Sequence, residues 1–468
     1  MNVLYRVFGI LALVAGVAAL AVGQNSGSVI DPSGPAPLSC SPAPCVLPPT
    51  QVSPGPNTAD SAPIASDPSN SRNLIVGSND YNCGFHGEEG LGFFVSLDAG
   101  AAWSQVCMPS VSAKGQDYVP DLGAILGYDR NGVAYIGGGY VDNGSGSSVS
   151  FEAFQKSSDG VHWSVPAPAV YRKNYGPGDC WMSVDTNADS PYVNSVYISC
   201  VLGGPPGSFV YNQMVVSHSN DGGTTWHQVD VAAKQVYPSQ DLYNSMTVGR
   251  DGTVYLTWQY CDQGNACDNG LVYMVFSKSS DGGNTWSKPA VVAAVTLIYP
   301  LPNVPDAFVA NAPAIGVDNS DGPYAGSLYV AMYNWTGTFM QVQVVRSTDG
   351  GTTWSKPVPV APGITHDQFF PWIAVSPNGL VGVMWVDRRN DPANVNYQAF
   401  AGISSDGGLN FDPNIELTTT FSDLATDNGP FGQYNGATWD GPNYFLAAWM
   451  DQSNGVNTQD YVGGIRLK

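Results

Sequence analysis

The chain has 468 residues, a formal net charge of −21 and only 17 Lys and Arg. That length exceeds one small domain and can bury a large core. An acidic surface without a basic run repels phosphate backbones and anionic lipid, which argues against nucleic-acid binding.

Residues 1–23 read as a secretory signal. Arg6 forms the charged start, "FGILALVAGVAALAVG" the apolar core, and Ala21 and Gly23 the small residues before a cut at Gln24. No later run is apolar enough to span a membrane, so the mature chain is expected to be secreted, periplasmic or extracellular. Residues 24–60 are rich in Pro and Ser and read as a linker, whose last part, "VLPPTQVSP", has the composition of a strand. Residues 61–468 read as one folded unit. Eight cysteines after a signal read as disulfides. Near neighbours in sequence suggest Cys40–Cys45, Cys83–Cys107, Cys180–Cys200 and Cys261–Cys267. None has the two-residue spacing of a zinc site, and no His cluster accompanies them.

One phrase returns along the folded unit: "SLDAGAAW" (96–103), "SSDGVHW" (157–163), "SNDGGTTW" (219–226), "SSDGGNTW" (279–286), "STDGGTTW" (347–354) and "SSDGGLNF" (404–411). Its aspartates, Asp98, Asp159, Asp221, Asp281, Asp349 and Asp406, are 61, 62, 60, 68 and 57 residues apart. Alternating or β-rich runs flank each copy, so the phrase is a hairpin turn. Ser and Asp bond the turn's own amides, Gly supplies positive φ, and the aromatic residue begins the next strand. A second hairpin precedes each copy, as in "YNSMTVGRDGTVYLTWQY" (243–260). Four strands per ~60 residues describe the blades of an all-β propeller. Six phrases suggest six blades. A seventh first hairpin, "YNGATWDGPNYFLAAWMD" (434–451), favours seven, with a strand near 50–54 closing the ring.

The S-x-D-x-G-x-x-W phrase resembles the Asp-box, or BNR repeat, of the sialidase (neuraminidase) superfamily. The resemblance implies a sialidase-like β-propeller whose boxes are scaffold, on the face opposite the site. It also implies three arginines that grip a carboxylate, one of them in an F/Y-R-I-P motif. A Tyr nucleophile assisted by Glu and an Asp acid/base complete the set. No R-I-P occurs here. After the signal the arginines are Arg72, Arg130, Arg172, Arg250, Arg346, Arg388, Arg389 and Arg466.

Loops between blades, and between second and third strands, give the candidate residues. "DYNCGFHGEEGLG" (80–92) holds Asp80, His86, Glu88 and Glu89. "VDRRNDPANVNY" (386–397) holds Asp387, Arg388 and Arg389. Tyr434 stands where the family carries its nucleophile, without a motif to support the transfer. Asp80, Glu88, Glu89, Asp387, Arg388 and Tyr434 are the catalytic candidates; Arg389, His86, Asp121, Asp179 and Asp367 are the substrate-binding ones. Asp121, Asp179, Asp241 and Asp367 each precede an inner strand and would form an acidic ring if they lined the channel mouth. No metal ligand set or cofactor is expected, although "DTNAD" (185–189) imitates the start of a calcium loop. The shared fold keeps exo-α-sialidase-type glycoside hydrolysis open. The absent arginine motif favours a carbohydrate- or protein-binding propeller, and whether the protein is an enzyme stays open at this point. The expected partner is a glycan or glycoprotein, and the closed, disulfide-secured ring is expected to be a monomer.

Overall fold

A computed structural model describes residues 38–468, apart from 85–88, 114, 144–148, 206–209, 263–266, 268, 301, 303–310 and 424–433. The described residues form seven antiparallel sheets, each built on a four-stranded meander. Blade 3 shows the plan, with Gly176–Val184 innermost, then Val196–Gly204, Tyr211–Ser219 and His227–Asp230. Blade 4 repeats it with Gln240–Val248, Val254–Cys261, Gly270–Ser279 and Ala290–Leu297. Blades 5 and 6 have Ala314–Val317 and Gln368–Val375 innermost. The innermost strands touch their neighbours all the way round, so the ring is closed. The chain is therefore a seven-bladed β-propeller, and the six-bladed alternative falls. Along each blade the second and third strands are the most buried, because neighbouring blades cover both their faces.

Blade 7 is completed from the other end of the chain. Its sheet runs Gly436–Asp440, Tyr444–Asp451, Gln459–Arg466 and then Cys45–Gln51. The stretch read as a linker thus contributes the outermost strand, slightly earlier than residues 50–54. Leu47 is fully buried beneath it, and Leu38 packs on Gly100 in the turn of blade 1. The four disulfides join the near neighbours anticipated from sequence.

The repeated phrase is a self-bonded turn. In blade 5 the Ser347 hydroxyl donates to Asp349 Oδ1 at 2.8 Å and accepts from the Gly351 amide at 2.9 Å. Asp349 also accepts from the Thr353 amide at 2.9 Å and hydroxyl at 2.6 Å. These donors, the Thr353 hydroxyl first, hold the Asp349 pKa down at about 2, and the Thr225 hydroxyl leads the same effect on Asp221, also at about 2. Each turn also grips the blade before it. Lys278 of blade 4 donates to the Gly350 carbonyl at 2.8 Å, and Phe276 packs edge-on against Trp354 at 5.5 Å. Lys156 to Gly222 (2.7 Å) repeats this latch between blades 2 and 3, and Arg346 to Gly407 (2.8 Å) between blades 5 and 6. Sequence read the turn correctly as scaffold. The inter-blade latch gives a reason for its return in successive blades, blade 7 excepted.

Candidate functional site

In an up-and-down meander the first-to-second and third-to-fourth turns share one face, here the box face. The remaining loops form the upper face. A cavity of about 720 Å³ runs up the axis from the box face, between the innermost strands. Met182, Met246, Ile315 and Ile373 line it, and Trp181 and Trp372 close its inner end. Those two rings lie 4.3 Å apart, and Tyr434 packs on both at 5.6 and 5.9 Å. Blades 3, 6 and 7 therefore meet in one aromatic stopper on the axis.

Backbone strain surrounds this stopper. Asp179, Tyr243 and Phe370 have φ of 46°, 39° and 49°, a left-handed conformation that is costly with a Cβ. Each sits in a register shift of its innermost strand. The shift turns the chain so that side chains at the top of the strand face the axis. Three bulky residues in a region that glycine favours mark the hub as the place where strain is held for a purpose.

The hub sets a buried phenol within the field of a carboxylate, with no hydrogen bond to the Tyr434 hydroxyl among the described residues. Asp179 is half-buried, and its Oδ2 accepts from the Tyr243 amide at 3.3 Å. The Asn244 side chain donates to the Asp179 carbonyl, and Ser199 donates to the Asn244 side chain. Burial, and then the negative charge of Asp179, push the Tyr434 pKa well above its ordinary value. Tyr434 is consequently a neutral hydroxyl at physiological pH, able to donate a hydrogen bond, and not a phenolate. Asp179 can accept from a sugar hydroxyl or take a proton from it.

The other candidates are more deeply engaged. Arg388 is fully buried, pairs with Asp367 at 3.1 Å and lies 5.1 Å from the centre of the Phe369 ring. Its Nε and second terminal nitrogen have no hydrogen-bond partner, and burial lowers its pKa. Asp367 also accepts from the Met340 amide at 2.8 Å and Asn394 at 2.8 Å, which ties blade 6 to blade 5. Asp387 accepts from Trp385 at 2.8 Å and pairs with Arg389 at 2.5 Å. Arg389 lies over Phe400 at 4.3 Å and donates to Asn414 at 3.1 Å, on the outer side of blade 6. Asp80 is buried in its own turn, accepting from the Asn82 amide at 2.8 Å and from Gln105 at 2.5 Å, and burial raises its pKa. Glu89 accepts from the Tyr81 hydroxyl. Asp121 is half-buried, with its amide on the Gly139 carbonyl at 2.9 Å. Asp241 is buried and accepts from Trp258 at 2.8 Å. His86 and Glu88 lie outside the described residues. So the structure brings Asp179 and Tyr434 together, buries Asp241 and the Asp367–Arg388 pair between blades, and holds Asp387 and Arg389 in a separate pair on the outer side of blade 6. In the 185–189 turn, Asp185 accepts from the Asn187 amide and side chain, both at 3.0 Å, and from Ser190.

No family model matches the chain. A sialidase of Micromonospora viridifaciens is 30% identical to it over 217 residues, which are 43% of this chain and 31% of the relative. The chain thus matches less than a third of that relative's length. A polysaccharide lyase, PL25 ulvan lyase, superposes with a TM-score of 0.53 at 13% identity, over 87% of this chain and 94% of the lyase. A protein of unknown function from Dyadobacter fermentans gives 0.51 at 14% identity, over 91% of this chain and all of the other. The chain is a sialidase-like β-propeller.

All eight arginines after residue 23 are described residues, and none offers an exposed guanidinium at the hub of the propeller. Arg72, Arg130 and Arg250 belong to turns of the box face, where Arg250 bridges Asp189 and Asp321. Arg346 is a latch, Arg172 pairs with Asp230, and Arg466 donates to the Cys40 carbonyl. The stopper tryptophans were missed by sequence reasoning. Their signal was positional: Trp181 and Trp372 each stand four residues before the first turn residue of their blade, Asp185 and Ser376.

Proposed function

We propose that this sialidase-like propeller is exported through its first 23 residues and engages an extracellular glycan at the upper-face hub. The observation that carries the reading is the convergence of Asp179, Tyr434, Trp181 and Trp372 from three blades on strained backbone. Aromatic faces suit the C–H face of a sugar ring, while a carboxylate and a phenol suit its hydroxyls. The arginine census favours a sugar recognised through hydroxyls over one gripped by its carboxylate.

A second reading is an exo-α-sialidase, favoured by the charge of Asp179 beside the Tyr434 hydroxyl at the start of the last blade. One experiment separates the two: purified mature protein assayed on an aryl α-sialoside and on a panel of neutral and acidic oligosaccharides, with Tyr434→Phe, Asp179→Asn and Arg388→Ala. The glycan reading expects oligosaccharide binding that weakens in the Asp179 and Tyr434 variants. Sialoside turnover abolished by Tyr434→Phe selects the second reading. Binding and turnover indifferent to both hub variants would remove the hub from the function. Intact mass of the exported chain, beginning at Gln24, tests the signal.

A further inference from the structure

Three consecutive blades carry an exposed tyrosine at the same place. Tyr171, Tyr237 and Tyr299 each follow the last outer strand of blades 2, 3 and 4, at Ala167–Val170, Gln235–Val236 and Ala290–Leu297. They are 60%, 50% and 38% exposed, unusual for rings of this size, and lie in blade-to-blade connections on the upper face. Their spacings of 66 and 62 residues follow the blade repeat, so the propeller itself sets them out along an arc of the rim.

Positive charge is concentrated beside the first two. Of 17 Lys and Arg in a chain of net charge −21, Arg172, Lys173 and Lys234 gather here. Arg172 lies 5.4 Å from the Tyr175 ring centre and Lys234 4.6 Å from that of Tyr211, and those two rings meet edge-on at 5.2 Å. Lys173 and Lys234 are exposed, and among the described residues only Arg172 of the three pairs with a carboxylate, Asp230. Exposed Val210 and Val236 fill the floor between, where the Tyr237 amide bonds the Val210 carbonyl at 3.0 Å.

We infer that the rim of blades 2 to 4 is a binding track for an extended anionic polysaccharide, distinct from the hub. Its tyrosines stack on sugar rings of one chain that are a blade apart, and Arg172, Lys173 and Lys234 meet carboxylate or sulfate groups between the first two. Exposed rings carried on consecutive blades suit an extended chain, and the cations beside them suit an anionic one. A local basic strip is needed because the rest of so acidic a protein repels such a chain. The track rests on the glycan reading but not on the hub, since a polymer held at the rim only delivers its residues to the axis.

The test is affinity electrophoresis of the mature protein in gels containing polygalacturonate or a neutral galactan, with short oligosaccharides assayed separately for the hub. Retardation by polygalacturonate is expected, weakening with salt. Tyr171→Ala/Tyr237→Ala/Tyr299→Ala should weaken it at least about tenfold, each aromatic contact being worth roughly a factor of two to ten. Lys173→Ala/Lys234→Ala should weaken it and flatten its salt dependence. Both variants should keep wild-type oligosaccharide binding at the hub and wild-type melting temperature. Retardation by galactan equal to that by polygalacturonate would overturn the anionic assignment. Retardation lost in Trp181→Ala but kept in the rim variants would overturn the track, as would no retardation by either polymer. Failure of hub oligosaccharide binding alone would count against the hub and leave the track standing.

Discussion

Replacing Gly351 by Ala should strike at the latch between blades. Gly351 has φ of 84°, and a Cβ there would lie 2.3 Å from Phe276 Cε1 and 2.5 Å from its Cζ. Left-handed backbone costs a side chain about 1–2 kcal/mol, partly offset by a gain of about 0.4–1 kcal/mol from stiffening the unfolded chain. Pushing Phe276 aside adds about 1–3 kcal/mol. The control is Gly326→Ala, where φ is 76° and nothing lies within 4 Å of the added carbon. It isolates the backbone part, roughly 0.5–1 kcal/mol, against roughly 2–4 kcal/mol for Gly351→Ala. Unfolding entropy near 2.1 cal/mol/K per residue gives about 0.9 kcal/mol per kelvin for a fold of about 430 residues. Calorimetry should thus show melting lowered by about 2–4 °C for Gly351→Ala and by about 1 °C or less for the control. Phe276→Leu in the Gly351→Ala background should cost less than in the wild type, a coupling that signals contact. Equal shifts in the two glycine variants, or additive effects with Phe276→Leu, would refute the idea that the turn is braced on the preceding blade.

Other predictions concern charge. Burial raises the Asp241 pKa to about 7 in the fold, opposed by its hydrogen bond from Trp258, against about 3.9 unfolded. The fold holds the extra proton, so this contribution is full below about pH 4 and is lost as pH rises towards 7. Asp241→Asn should therefore raise melting at pH 8 relative to wild type and flatten its decline between pH 4 and 8. The box aspartates act in the opposite sense: with Asp349 lowered to about 2, its contribution is present above about pH 4 and lost as pH falls through 2. Asp349→Asn should destabilise at pH 7 and be nearly neutral at pH 2, by thermal scans at the two values. Asp367→Asn would leave the Arg388 guanidinium buried without its counter-charge, costing about 3–5 kcal/mol in urea unfolding, and a matching Arg388→Met change should recover part of that loss. Leu47→Ala in the closing strand should cost about 2–5 kcal/mol and expose the edge of blade 7 to proteolysis.

The scaffold was legible because its chemistry is local. Ser96 and Asp98, and their five counterparts, bond amides within four residues of themselves, so the phrase carries its own geometry. The disulfides join cysteines 5, 24, 20 and 6 residues apart, and proximity in sequence sufficed. The hub was harder to read. Asp179, Tyr243 and Phe370 adopt a conformation that sequence associates with Gly, so they gave no turn signal. Arg388 looks like a surface cation in "VDRRND", and its burial depends on Asp367, 21 residues earlier, and on the face of Phe369. Arg389, the very next residue, turns the other way onto Phe400 and Asn414, a difference no spacing records. Lys278 likewise gave no hint that its partner is the Gly350 carbonyl of the following blade.

The closing strand makes assembly of the ring wait on synthesis. Cys45–Gln51 leaves the ribosome long before Gln459–Arg466, the strand it must join. Until then it is an unpaired ribbon, open to association with other chains. Its sequence, "CVLPPTQ", blunts that hazard, because Pro48 and Pro49 offer no N–H and fall at the break in register between Leu47 and Thr50. Entropy opposes so distant a meeting only weakly, since the cost of closing a loop grows with the logarithm of its length. The six preceding blades, latched between 2 and 3, 4 and 5, and 5 and 6, can stack in order behind the waiting strand. The seventh seals the circle only when both ends of the folded unit are present, so a chain cut short before residue 459 would be left as an open arc and not a smaller propeller.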